Sequence, residues 1–256
     1  HLALCEALVT ELDRHGIDLW AAHVVDRVAA GGRWHCADGC GAGGAVDDPA
    51  ASPLAVAAVL DGRRLYPRRA DLQAVVAVAD PDRCPRIITA IDKHTAARPD
   101  NPDGRRRDVE NVLAAAARNA DGQLLTDTDL APLACALVDV QVRDTLYALA
   151  VGEIAGAAES LWAMLSQTLP EPSRVEALVL LAFSAYVRGD GALAGVALEA
   201  ALRCQPGHRM ASMLDTALQS GLRPEKIRDL AVTGYRLADQ LGVRLPPRRS
   251  FGRRAG

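Results

Sequence analysis

The chain has 256 residues, half of them apolar but only 4% aromatic, so its core is expected to be built from Ala, Val and Leu. Lysine plus arginine number 29 against 32 acidic residues, a net charge of −3, and this leaves no overall field to attract nucleic acid. No apolar run reaches the about 18 residues of a membrane span, and six cysteines scattered along a long chain do not make a disulfide scaffold. No membrane, a reducing compartment and a cytoplasmic location are therefore expected.

Leu2, Leu4, Cys5, Leu8, Val9 and Leu12 recur at helical spacing, and Gly16 stops that helix. Ile17 to Val25 reads as a strand. The turn signal Gly31-Gly32 then leads to a short extended piece around Trp34. The Gly-, Asp- and Ala-rich run from Ala37 to Pro53 reads as a loop, followed by a short helix over Leu54 to Leu60. Arg63 to Arg69 is a basic connection, Ala70-Asp71 starts a helix, and Arg83 to Ala97 is an amphipathic helix through Ile87, Ile88 and Ile91. Residues 99–107, with Pro99, Pro102 and Gly104, read as a linker.

Beyond it the pattern is helical: Val109 to Asn119, then a long helix from about Leu130 to Val151 begun by the cap Thr126-Asp127-Thr128-Asp129. Helices over Glu153–Leu169, Arg174–Arg188, Ala192–Cys204, His208–Gln219 and Pro224–Leu241 follow, broken at glycines and prolines. In the hairpin from Arg174 to Pro206, the small residues Ala182, Ala185, Ala194 and Ala201 surround Leu198, a spacing similar to a tetratricopeptide (TPR) repeat. Pro172 lies 34 residues before Pro206, with weaker matches in the hairpins on either side. An ordinary antiparallel bundle predicts similar interior positions.

The expectation is an α+β protein, mostly α. A small N-terminal α/β portion (1–98) and the linker precede a TPR-like antiparallel helical array over 108–245. A disordered basic tail, 246–256, closes the chain.

Arg33-Trp34 with Cys36 and Cys40, Arg68-Arg69-Ala70-Asp71-Leu72, Val142-Arg143-Asp144, Leu161-Trp162 and above all Gly189-Asp190-Gly191-Ala192-Leu193-Ala194 together resemble the uncharacterised actinobacterial domain family DUF4192. The resemblance covers most of the chain and implies no activity. It implies a further β-containing segment ahead of the first helix, so the sheet is expected to be incomplete. Where the family has a second cysteine and a proline after the position of Cys40, this chain has Gly41 and Ala42.

His35, Cys36 and Cys40, with Asp38 between them, form the one metal-like cluster. A structural zinc site takes four ligands, and no second cysteine pair follows. Cys84 or His94 would have to fold back to complete it. Two unliganded thiols, or an adventitious disulfide between them, are the simpler reading, so no cofactor is expected, zinc at Cys36 and Cys40 being the exception. No cysteine-protease signature, phosphate loop or Gly-x-Ser-x-Gly elbow is present. Asp139 and Arg143 stand as an i,i+4 pair, and Asp139, Arg143, Asp144 and Arg188 are the candidate binding residues, as charges lining a peptide groove. Arg248, Arg249, Arg253 and Arg254 read as a solubilising tail rather than a nucleic-acid contact. The functional expectation is a non-enzymatic protein-interaction scaffold with a protein partner. The competing one is an enzyme with its site at the seam between the N-terminal portion and the helices.

Overall fold

A computed structural model of the chain describes residues 2–60, 65–98 and 101–249. It is an α+β structure, mostly helical, with a small open sheet near the N-terminus and a long helical region after it. The chain divides into two compact units, the first ending at Leu65 and the second beginning at Tyr66. The division falls well before the expected 99–107 linker. Most of that stretch is helix, because Asn101 accepts a hydrogen bond from Gly104 N–H and caps a helix that starts at Pro102.

In the first unit, helix α1 (Leu2–Arg14) ends at Gly16, whose φ of +68° suits glycine. The expected strand over Ile17–Val25 forms only at its end, as β1 (His23–Val25). It pairs antiparallel with β2 (Arg33–Cys36), and β2 pairs antiparallel with β3 (Gly43–Ala45). β3 lies inside the expected loop. A Cβ on Gly43 would fall 2.8 Å from the Trp34 carbonyl oxygen, and one on Gly44 3.0 Å from the Trp34 indole nitrogen. The Gly-Gly step is thus what lets this strand lie against β2, and it carries none of the usual strand preference. A 3-10 turn over Pro49–Ala51 and helix α2 (Pro53–Leu60) complete the unit.

The second unit opens with α3 (Arg69–Ala74), α4 (Cys84–Ala97) and α5 (Pro102–Ala120). Helix α6 (Asp127–Val138) begins with a capping box in which Thr126 and Asp129 satisfy each other's backbone N–H groups. The expected long helix does not continue to Val151. Asp139 ends α6, and its carboxylate accepts from Gln141 and Val142 N–H to start a new helix, α7 (Val140–Leu146), which runs into a 3-10 segment, Tyr147–Val151. Then follow α8 (Ala155–Thr168), α9 (Ser173–Arg188), α10 (Gly191–Cys204), α11 (Arg209–Gln219) and α12 (Pro224–Gln240).

Helices α9 and α10 pack along one another, with Ala182, Ala185, Ala194 and Leu198 fully buried between layers. Gly189, at φ +87°, makes the turn, and Asp190 accepts from Leu193 N–H to cap α10. One apolar core runs from Leu72 to Val243, with Trp162 and Phe183 fully buried in it. The expected tail is held where described: Tyr235 donates to the Pro246 carbonyl, Glu153 N–H to that of Pro247, and Arg249 N–H to that of Val151. Arg253 and Arg254 lie outside the described residues. No helix among the described residues is long and apolar enough to cross a membrane.

Helix α12 crosses the 145–148 region so closely that a Cβ on Gly234 would fall 2.8 Å from the Thr145 carbonyl oxygen and 2.9 Å from Ala148. In an open helix, Gly→Ala would stabilise by about 1 kcal/mol. Gly234→Ala is instead expected to destabilise by about 1–3 kcal/mol through overpacking, read from urea unfolding midpoints.

Candidate functional site

Side chains alternate across a strand, so Trp34 and Cys36 share one face of β2 while Arg33 and His35 share the other. That placement removes His35 from the expected cluster. Cys36 ends β2, its N–H donating to the Ala42 carbonyl, and Asp38 and Cys40 follow in the β2–β3 turn. Gly39 and Gly41 take φ of +78° and +79°, which tightens the turn on both sides of Cys40. Cys40 N–H donates to the Asp38 carboxylate over 3.4 Å. The outcome is that one donor atom from each of Cys36, Asp38 and Cys40 lies within 4.8 Å of the other two.

The electrostatics follow from that convergence. The hydrogen bond to the Asp38 carboxylate pushes the Cys36 thiol up to about 11. The same bond, with those from Cys40, holds the Asp38 carboxyl below its ordinary value. Three groups that become anionic face one another, and a cation at their centre would favour all three charged forms. Tetrahedral zinc, with bonds of about 2.3 Å to sulfur, places two thiolates about 3.8 Å apart. Closure on an ion therefore requires movements on the order of 1 Å in an exposed turn. Such a cluster can chelate zinc. Cys84 and His94 lie in α4, in the second unit.

The four expected binding charges do not converge. Asp139 does not pair with Arg143 through its side chain. It accepts from Arg98 at 3.0 Å and Arg105 at 3.0 Å, while Arg98 also holds the buried Asp108 at 2.6 Å. Arg143 binds Asp144 at 2.9 Å and Glu176 at 3.2 Å. His208 extends this chain: its Nδ1 accepts from Ala211 N–H, so its Nε2 is the nitrogen left to donate to Glu176, 3.2 Å away. The Tyr147 hydroxyl, buried within range of the same charges, has no hydrogen-bond partner among the described residues, and burial pushes its pKa well up. Arg188 is held by Glu159 at 2.7 Å and Asp190 at 3.2 Å. A groove of about 620 Å³ lies elsewhere on the helical unit, with Gly191, Gly195, Glu199 and Arg203 of α10 facing Arg69 and Asp215. None of the four expected charges lines it.

Asp38 was within reach of sequence reasoning through its place between two cysteines. Glu176 and His208 were not, because only helix packing brings them to Arg143.

Fold and site together define a mostly helical α+β protein with a cysteine-bearing β-hairpin in its N-terminal unit. The chain belongs to the family described as Domain of unknown function (DUF4192), which matches residues 1–225. No curated protein and no solved structure matches it. The motif residues now have physical roles: Leu161 and Trp162 are core, Gly189 and Asp190 build the α9–α10 turn, and Arg143 ties α7 to Glu176.

Burial raises the Asp139 pKa, but the Arg98 hydrogen bond, the Val142 N–H and the charges of Arg105 and Arg98 outweigh it and leave the carboxyl below its ordinary value. A carboxyl lowered on folding contributes stability that is complete above its unfolded pKa of about 3.9 and fades as pH falls through the folded value. The unfolding free energy of the wild type is therefore expected to drop between pH 6 and pH 3 (about those values bracket the unfolded pKa). Asp139→Asn should drop less over the same interval, as measured by urea titration.

Proposed function

We propose that the chain acts through a soft divalent cation of the zinc class, held on the N-terminal hairpin by the Cys36–Asp38–Cys40 cluster. The observation that carries this reading is the convergence of two thiols and a carboxylate within 4.8 Å. A second observation supports it. The only buried apolar side chain among the described residues of this unit is Ala55, while Trp20, Leu54 and Leu60 are 99%, 84% and 83% exposed. Units of this size without a core commonly draw their stability from a metal or a disulfide.

A centre with three protein ligands keeps a position for water or substrate, as catalytic zinc does. The reading therefore favours a metal-dependent enzyme over a bare scaffold. The full chain, reduced and stripped of metal, is expected to take up one equivalent of Co(II) and develop strong sulfur-to-cobalt charge-transfer absorption. Cys36→Ser and Cys40→Ser should each abolish that band. A wild-type protein that takes up no cobalt, or serine variants with an unchanged spectrum, would overturn it.

A second reading, the protein-interaction scaffold, is favoured by the groove along α10. Here α9 and α10 serve as a TPR-like pair, and Arg69 and Arg203 share the single Glu199 carboxylate at 2.9 and 3.0 Å, leaving guanidinium donors free for an acidic peptide. Under this reading, a protein partner retained by the wild type is lost by Arg203→Glu at unchanged thermal stability. Retention by the variant removes the groove from consideration.

A further inference from the structure

The register of the small sheet brings an imidazole to the strand position opposite one member of the cluster. His23 in β1 stands directly across from Cys36 in β2. Its flanking pair, Ala22 and Ala37, is joined by the Ala37 N–H to Ala22 carbonyl bond at 2.8 Å. Hydrogen-bonded and non-hydrogen-bonded pairs alternate along antiparallel strands, so His23 and Cys36 form a non-hydrogen-bonded pair, the kind whose side chains come closest. Directly opposed residues share a sheet face, with Cβ atoms about 4.5–5.5 Å apart. The His23 imidazole thus stands on the face that carries the Cys36 thiol. It is exposed, and its ring rests edge-on against Trp34, with centroids 4.9 Å apart and planes at 76°. Its ring nitrogens are not among the donor atoms that lie within 4.8 Å of one another, so ligation from this position requires a rotation about its side-chain bonds away from Trp34.

Asp38 differs from the other three residues. Its carboxylate already accepts the Cys40 N–H, a bond that sets the orientation of Cys40 in the turn. That is a positioning task, which a carboxylate can keep while giving up a metal.

We propose that His23, Cys36 and Cys40 are the permanent ligands of a zinc-class ion, with Asp38 as the fourth, exchangeable one. The proposal rests on the metal-binding reading above and specifies its donor set. Two thiolates and one imidazole with a position open to exchange is an established catalytic zinc arrangement. On binding, each coordinating thiol passes its proton to solvent and the imidazole binds in its neutral form, so uptake releases protons without any redox step.

Co(II) titration of the full, reduced chain tests this. The wild type should show intense visible d–d bands of tetrahedral cobalt beside the charge-transfer absorption. His23→Ala should weaken binding by more than the about 10–100-fold that loss of a supporting hydrogen-bond partner causes, and added imidazole should restore the tetrahedral bands. Asp38→Asn should keep cobalt within about tenfold of the wild-type affinity, the low end of that same range, with shifted d–d bands. Because His23 is exposed, His23→Ala should keep the far-ultraviolet circular dichroism of the wild type, which separates ligand loss from misfolding. If the wild type takes up no cobalt, the metal reading itself fails. If the wild type binds and His23→Ala binds equally well, that reading survives and the assignment of His23 is overturned. Loss of all binding in Asp38→Asn would overturn the division of roles.

Discussion

From Ala177 to Val187 every residue of α9 is buried, and the rest of the helical unit is arranged to make that possible. A helix apolar on all sides is stable only where neighbours enclose it. Here α8 and α10 flank it, and α6, α11, α12 and the 147–151 segment close the remaining sides. Small residues at Ala177, Ala182 and Ala185 admit close approach, while Phe183 and Tyr147 meet edge to face at 4.7 Å where the space is wider. Two of the charges singled out in the sequence, Arg143 and Arg188, belong to this arrangement. Glu176 sits in the first turn of α9 and holds Arg143 and His208, and Arg188 sits in its last turn and holds Glu159 and Asp190. An acidic first turn and a basic last turn suit the helix dipole, so both ion-paired ends favour the rod they terminate.

The α9–α10 pair was legible because its punctuation is local: Gly189 for the left-handed turn, Asp190 for the cap, and small residues at helical spacing. The break at Asp139 was not. In sequence it falls inside the expected long helix and reads as the i,i+4 partner of Arg143. Its conversion to a cap depends on Arg98 and Arg105, more than thirty residues earlier, which bind the carboxylate in place of Arg143. β3 was hidden for a related reason. Gly43 and Gly44 carry a loop signature, and their value as strand residues exists only against Trp34.

The candidate site divides the same way. Cys36 and Cys40 were visible as a spaced pair, and Asp38 as their neighbour. The expectation of His35 as a companion failed because adjacent strand residues face opposite ways. His23 carried no signal at all, since its position beside Cys36 is a property of β1–β2 pairing rather than of spacing. Ligands assembled across strands are generally of this kind: the chain shows the donors, and the register selects among them.

The two units are stabilised by different physics, and this bears on how an ion would act. In the helical unit, tens of apolar side chains are buried, the Val, Leu, Ile and Phe among them contributing about 1.5–3 kcal/mol each, and they form one continuous cluster. The N-terminal unit has a three-stranded sheet of short strands and next to no buried apolar surface among its described residues. Ligand atoms brought together by two left-handed glycines and one strand pairing lose their order when that hairpin frays. An ion binding the ordered form alone would therefore stabilise the hairpin by mass action, in proportion to the logarithm of its concentration. Its stabilisation would fall where the ligands are, on the short-stranded hairpin, whose own packing supplies little.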